Sequence, residues 1–233
     1  LVNEVVGNII DEEQAQDYYQ PRSQILAETI ISQTSNKDFG FVYKKFHKNV
    51  PQHVIPNYHV FKRYAYDCFY AIKAFSNWRE GLEFYDDVFL RDRTPFILQQ
   101  ESLFLLKKKK FDQAALKIDY ALQISRKRFF SIENTHAIIL FKANINSNNS
   151  ETSIRGILDR SMQILKSCYL DDQRKTYHAV TFAEQAISYF TRFSDSRANE
   201  YLALAKKWLL EIGVDKKYDV RARSLLKELD NLT

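Results

Sequence analysis

Apolar residues recur at three- and four-residue steps along most of this chain, which is the period of an amphipathic helix. The segment from Pro95 to Ser125 shows this pattern twice, once on each side of a basic turn. The apolar positions are Phe96, Leu98, Leu103, Leu105 and Leu106 in the first half, and Phe111, Ala114, Ala115, Ile118, Ala121 and Leu122 in the second. The spacing predicts two helices joined by a turn.

Further helix pairs are predicted on both sides of this segment. Residues 57–92 predict one helix over 57–76 and a second that begins at Trp78, with Asn77 or Ser76 as its N-cap. Residues 131–165 predict a looser pair, capped at Ser131 and divided by a polar loop at 146–152. A clear pair follows at 174–212, with a last helix whose apolar positions are Val220, Leu225, Leu226 and Leu229.

The first quarter of the chain is less regular. Pro21 suits the first turn of a helix whose buried stripe is Ile25, Leu26, Thr29 and Ile30. A short helix follows, anchored by Phe39, Phe41, Val42 and Phe46 and ended by Pro51 and Pro56. We therefore predict a leading helical segment and connector at 1–56 and a helical repeat array at 57–233.

Composition supports a helical chain in a reducing compartment. Apolar residues make up 45% of the sequence and there are only 5 Gly and 4 Pro, so few sharp turns are needed. The two cysteines, Cys68 and Cys168, lie far apart and are expected to be small buried side chains. No apolar run approaches the roughly 20 residues that span a bilayer, and the opening residues lack the basic start and the small-residue cleavage site of a signal peptide. We expect a cytoplasmic location and no membrane partner.

Motifs that carry chemistry are missing from the sequence. It has no GxxxxGK or GxGxxG phosphate loop, no serine nucleophile elbow, no CxxC pair and no HExxH helix. His47, His53 and His59 recur at a spacing that fits no metal motif. The acidic pairs Asp86–Asp87 and Asp171–Asp172 suit solvated helix faces or caps. We expect no enzymatic activity, no cofactor and no metal in this chain.

The second helix at Pro95–Ser125 resembles that of a tetratricopeptide repeat. Phe111, Ala114, Ile118 and Ala121 match the family's order of aromatic, small, bulky and small residues, and Ser102 fits its small position in the first helix. Trp78, Gly81, Tyr85 and Val88 repeat the spacing about 33 residues earlier, close to the family period. The resemblance implies an all-α fold, a tetratricopeptide-like right-handed solenoid of antiparallel helix pairs with a short leading helical segment.

In such an array the first helices line a concave groove that binds a protein or peptide. The residues predicted to face this groove are Arg63, Tyr66, Tyr70 and Lys73 from one pair, and Gln99, Leu103 and Lys107 from the next. Tyr and Arg are frequent interface anchors. The competing interpretation is that Tyr66 and Tyr70 pack against the neighbouring pair.

Four stretches resemble the carboxy-terminal region of prokaryotic STAND NTPases, large signalling proteins with an effector, a P-loop ATPase and a repeat array. They are RSQILAETII, VFKRYAYD, PFILQQESL and SIENTHAIILFKANI, and the resemblance covers Tyr18 to Ile145. It implies an antiviral sensor that binds a foreign protein, such as a phage structural component, and thereby allows the whole NTPase, the parent protein, to oligomerise. Two alternatives stay open: an autonomous adaptor for a host protein, and nucleic-acid binding through Lys107–Lys110 and Arg126–Arg128.

Overall fold

The computed structural model describes residues 33–49, 58–212 and 219–232, and every regular element in those ranges is an α-helix. The all-α class predicted from the sequence is confirmed, whereas the helix predicted around Ile25 to Ile30 lies outside the described residues. The helices are α1 Asn36–Asn49, α2 Tyr58–Ala65, α3 Cys68–Ala74, α4 Trp78–Arg91, α5 Pro95–Lys107, α6 Phe111–Ile124, α7 Phe130–Asn144, α8 Glu151–Asp171, α9 Lys175–Phe193, α10 Ser196–Glu211 and α11 Asp219–Leu232.

The chain divides into two compact units, residues 1–86 and 87–233, and the division falls within α4. The predicted boundary at residue 56 does not coincide with this division and stays a prediction. None of the described helices is long and apolar enough to cross a membrane.

Aromatic rings form the centre of the first unit. Tyr43 lies 4.4 Å from His47 and 5.2 Å from Phe84, measured between ring centroids. Phe75 packs on Phe84 at 5.1 Å, and Tyr66 packs on His47 at 4.9 Å. The hydroxyl of Tyr43 donates to the carbonyl of Ala65 at 2.6 Å, so the cluster joins α1 to the end of α2.

The buried face of α1 differs from the predicted one. Phe41, Val42 and Phe46 were expected to anchor this helix, but they are exposed by 65%, 61% and 48%. Gly40, Tyr43 and His47 are buried instead. Large apolar side chains suggested the predicted face, but the real contact depends on a glycine. At Gly40 the backbones of α1 and α3 meet so closely that a Cβ would lie 2.4 Å from the carbonyl oxygen of Ala74.

The helix predicted over 57–76 is two shorter helices. The chain leaves the helix at Tyr66, and the Asp67 carboxylate accepts a hydrogen bond from the backbone N–H of Phe69 at 2.8 Å as the N-cap of α3. Asp is a strong N-cap residue, so Asp67 was the available signal for this break. The second helix of the pair begins at Trp78 as predicted, and Asn77 accepts from the N–H of Arg79.

In the second unit, each helix from α5 to α11 packs against the next one in sequence. The first helices of successive pairs also contact one another, α5 with α7, α7 with α9, and α9 with α11. The small, bulky, small positions are all fully buried: Ala114, Ile118 and Ala121 in α6, and Ala198, Leu202 and Ala205 in α10. Small residues allow close approach of neighbouring helices, and the bulky one fills the space between them.

Two details at helix ends differ from the prediction. Phe129, not Ser131, is the N-cap of α7, and Ser131 lies in the helix with its carbonyl bonded to Gln99. Val220 in α11 is 76% exposed, so the buried positions of that helix are Leu225 and Leu229.

Helix α5 is enclosed almost completely, because α6 and α7 both pack on it. All residues from Ile97 to Leu106 except Leu103 are buried. They include Glu101, which is fully buried and forms an ion pair at 2.7 Å with Lys117 of α6. The side chain of Lys117 is 24% exposed. Because the carboxylate of Glu101 is buried between the helices, its charge needs the ammonium of Lys117 beside it.

Gly40 and Gly156 give a matched pair of tests. Gly40→Ala should weaken the contact of α1 with α3 by about 1–3 kcal/mol, because the new Cβ meets backbone. Gly156→Ala in α8 should stabilise by about 0.5–1 kcal/mol, because no atom lies within 4 Å of the new Cβ and alanine favours helix. Amide hydrogen exchange across α1 and α8 measures both. Unchanged protection of α1 in Gly40→Ala would contradict the close contact.

Removal of the partner of Glu101 tests the buried ion pair. Lys117→Met should lower the free energy of unfolding by about 3 kcal/mol, because it leaves a buried carboxylate without its nearest cation. The control is Lys207→Met, which removes an exposed lysine 3.7 Å from Glu211 and should change stability by less than about 0.5 kcal/mol. Urea unfolding followed by circular dichroism compares them, and equal effects would refute the role of the pair.

Candidate functional site

A polar groove of about 380 Å³ crosses the first helices of the second unit. Its volume lies within the range of about 300–1,000 Å³ found for ligand sites. The lining residues are Lys107 of α5, Lys142 of α7, Glu184, Gln185, Ile187 and Ser188 of α9, and Arg221, Leu225 and Glu228 of α11. The groove is therefore built from the first helices of three consecutive pairs and from the last helix, α11.

Charge is distributed unevenly along the groove. Lys107 and Lys142 lie in the last turns of α5 and α7, and neither forms an ion pair with a carboxylate in the described part of the chain. Arg221, by contrast, donates to Glu184 through Nε at 2.9 Å and through its terminal nitrogen at 2.6 Å. One side of the groove thus presents two cations, while the other side presents a paired arginine and Glu228.

The two lysines influence each other. Burial lowers the pKa of Lys142 from its usual 10.5, the positive charge of Lys107 lowers it further, and Glu184 acts in the opposite direction. Because each pKa shift is a difference in free energy between folded and unfolded chain, the charge on Lys142 costs stability. An anion bound between the two lysines would offset the part of that cost that comes from Lys107.

The floor of the groove combines apolar side chains with one amide. Ile187 and Leu225 are buried, with 7% and 1% of their surface exposed. Gln185 is 2% exposed, and its amide makes no hydrogen bond to another residue of the described ranges. A side-chain amide has donors and an acceptor, so Gln185 is able to pair with the backbone of a bound peptide.

Four of the seven predicted groove residues belong to the first unit, and most of them are already engaged. Tyr66 is fully buried beside His47, which favours the packing interpretation. Tyr70 is half-buried on α3, and the ammonium of Lys73 lies 5.4 Å from the ring of Phe39. Of the four, Arg63 is the one that is exposed.

The other three predicted residues lie on α5 and separate into different environments. Gln99 is buried, and its amide donates to the Ser131 carbonyl at 2.8 Å and to Oγ1 of Thr135 at 2.9 Å, so it joins α5 to α7. Leu103 is half-buried. Lys107 is exposed and lines the groove, and its role in binding stays a prediction.

Sequence reasoning missed most of the groove, although a signal for it was present. Lys73, Lys107 and Lys142 succeed one another at intervals of about 34 residues, the period of the repeat. That periodicity would have placed Lys142 beside Lys107 on the next first helix. Arg221 and Glu184 follow no such interval, and only the contact of α9 with α11 brings them together.

The two basic segments considered for nucleic-acid binding have different surroundings. Lys107–Lys110 forms the turn between α5 and α6, with Lys109 in the left-handed region at φ 58°. Arg128 is held by carboxylates: Nε donates to Glu133 at 2.8 Å, and a terminal nitrogen donates to Asp171 at 2.6 Å. A guanidinium engaged by two carboxylates is poorly suited to bind phosphate.

A buried histidine network lies outside the groove. Nε2 of His178 is 2.8 Å from Asp172, and Nδ1 is 3.1 Å from the side-chain oxygen of Asn134. Asp172 was predicted to lie on a solvated helix face or to act as a cap, and it is buried. Burial acts to raise its pKa, yet hydrogen bonds from Arg174 and His178 hold that pKa below its usual range. His178 is fully buried, so the network joins α7, α8 and α9 rather than meeting a substrate.

The cost of the charge on Lys142 is measurable. Lys142→Gln should raise the free energy of unfolding at neutral pH, because the unfolded chain holds the Lys142 proton more tightly than the fold does. This gain should shrink as the pH rises towards 10.5, where the lysine loses its charge in both states. Urea unfolding of both proteins at several pH values tests it. A variant less stable than the parent at pH 7 would show that Lys142 stabilises the groove.

Comparisons with known proteins add no further constraint to this geometry. The chain was compared with protein-family models, with curated proteins and with solved structures, and none of the three comparisons gave a match. The inference of function therefore depends on the groove itself.

Proposed function

We propose that this chain is a protein-recognition domain, the sensor part of a STAND-type antiviral signalling protein that binds a foreign phage protein. In this proposal the second unit is a tetratricopeptide-like array, and its groove receives the partner. The observation that carries the proposal is the origin of the groove walls, which come from α5, α7, α9 and α11. Repeat arrays bind proteins on the surface formed by equivalent helices of successive units.

The pattern of helix contacts supports the array. Each first helix touches the first helix of the next pair as well as its own second helix. Such packing forms a continuous row of first helices, and the side chains that reach water from that row, such as Lys107 and Lys142, lie outside the core. The mixed composition of the groove, with buried Ile187 and Leu225 beneath exposed Lys107 and Arg221, suits a protein surface.

Signalling by such a domain requires a difference in affinity between two states of the parent protein. A phage protein that binds the groove more tightly in the open state shifts the parent towards that state, and the ATPase is then free to oligomerise. In this mechanism the chain supplies recognition, and the chemistry belongs to the rest of the parent.

An autonomous adaptor that binds a host protein would use the same groove. The two functions differ in what precedes Leu1 in the gene. A GxxxxGK segment upstream supports the sensor, whereas a stop codon followed by a start codon at this boundary supports the adaptor. Reading the open reading frame therefore separates them.

Blocking the groove tests recognition directly. Ser188→Trp places a large ring on an exposed groove position of α9, and its control Ser153→Trp makes the same change on the exposed first turn of α8. Phage structural proteins are co-expressed one at a time with each variant, and co-purification is measured. We expect a phage protein that co-purifies with the unsubstituted chain and with Ser153→Trp to fail to co-purify with Ser188→Trp. Capture that survives in Ser188→Trp would place recognition elsewhere.

A further inference from the structure

We propose that the groove selects an extended acidic segment of its partner, with a side-chain carboxylate bound between Lys107 and Lys142 and a backbone amide paired with Gln185. This inference rests on the proposed function and names the chemistry that the groove recognises. Two cations on consecutive first helices, neither in an ion pair with a carboxylate of the described residues, form the complement of an anion.

The two lysines differ from the other groove cation. Arg221 already has an anion, because two of its nitrogens bind Oε1 of Glu184 at 2.9 and 2.6 Å. A partner carboxylate at Arg221 would have to displace Glu184. Between Lys107 and Lys142 it would displace only water and would relieve the repulsion between the two ammonium groups.

The acidic residues of the groove restrict which anions the groove is able to bind. Glu184 and Glu228 line the same cavity, so a uniformly charged strand such as a nucleic acid would place phosphates against carboxylates. A peptide with separated carboxylates avoids this repulsion, because its uncharged residues lie opposite Glu228 and over the apolar side chains of Ile187 and Leu225.

Gln185 adds a requirement that the ligand has a peptide backbone. Gln185 lies in the middle of α9, lines the cavity and is 2% exposed, and its amide makes no hydrogen bond within the described part of the chain. A side-chain amide both donates and accepts hydrogen bonds, and an extended peptide offers both a carbonyl and an N–H to it. The carboxylate and the backbone together define an acidic peptide rather than a free anion.

Fluorescence anisotropy with the whole chain tests this proposal. The probes are a short peptide of alternating Leu and Glu with both termini blocked, the same peptide with Gln for Glu, the Gln peptide with a free carboxy terminus, and a thymidine oligonucleotide. We expect the Glu peptide to bind most tightly, and its affinity to fall as salt is raised. Equal binding by the blocked Gln peptide, or tighter binding by the free terminus or by the oligonucleotide, would overturn the proposal.

Matched variants assign the binding to the lysines. Lys107→Gln and Lys142→Gln should each lower the affinity for the Glu peptide by about five-fold, as expected for loss of an exposed ion pair. Lys207→Gln removes a lysine of the second helix α10, outside the groove, and should leave the affinity unchanged. Circular dichroism confirms that each variant is folded. Affinities that do not differ among the three variants would refute the lysine site.

Failure here is distinguishable from failure of the proposed function. If Ser188→Trp abolishes capture of a phage protein while the Glu and Gln peptides bind alike, the groove recognises protein without selecting acidic residues. If Ser188→Trp leaves capture intact and the Glu peptide still binds through Lys107 and Lys142, the groove selects acidic peptides and phage recognition belongs to another surface.

Discussion

The enclosure of the first helices is the constraint on which the second unit depends. Helix α5 has α6 on one side and α7 on another, so its polar side chains lose contact with water along with its apolar ones. Each must find a partner inside the protein, because an unpaired polar group in an interface costs more than the interface gains there. Gln99 bonds to Ser131 and Thr135, and Glu101 pairs with Lys117. These bonds also fix the register of α5 against α6 and α7.

The same enclosure explains where the groove lies. First helices touch their own second helices and the neighbouring first helices, and the remaining side of each is the place where long polar side chains reach water. Lys107, Lys142, Glu184 and Arg221 come from four different positions in the sequence, yet each occupies that side. A surface of this kind is able to change its chemistry while the buried small, bulky, small positions stay constant. Buried packing positions and water-facing positions are thus separated within each pair.

The sequence was sufficient for the helix pairs and insufficient for their details. Periodicity located α5 to α11, and the spacing of Ala114, Ile118 and Ala121 identified the buried face of α6, because small residues at helical intervals have few other uses. The prediction was wrong at α1, where Gly40 rather than Phe41 faces the core, because close backbone approach leaves no apolar signal. Asp67 broke a helix that propensity alone would continue. In the groove, Lys107 was found by its position, whereas Glu184 and Arg221 meet only through tertiary packing.

The charges of the groove are the strongest reason to regard it as more than a solvated surface. A solvated helix face gains by pairing lysines with carboxylates at three- or four-residue steps, as Lys207 and Glu211 do on α10. The positive charge of Lys107 lowers the pKa of Lys142, and the amide of Gln185 makes no hydrogen bond to the described residues. Arrangements that cost stability in the free protein are characteristic of sites that bind something. On the proposal above, the carboxylate of an acidic partner would offset the repulsion that Lys107 exerts on Lys142.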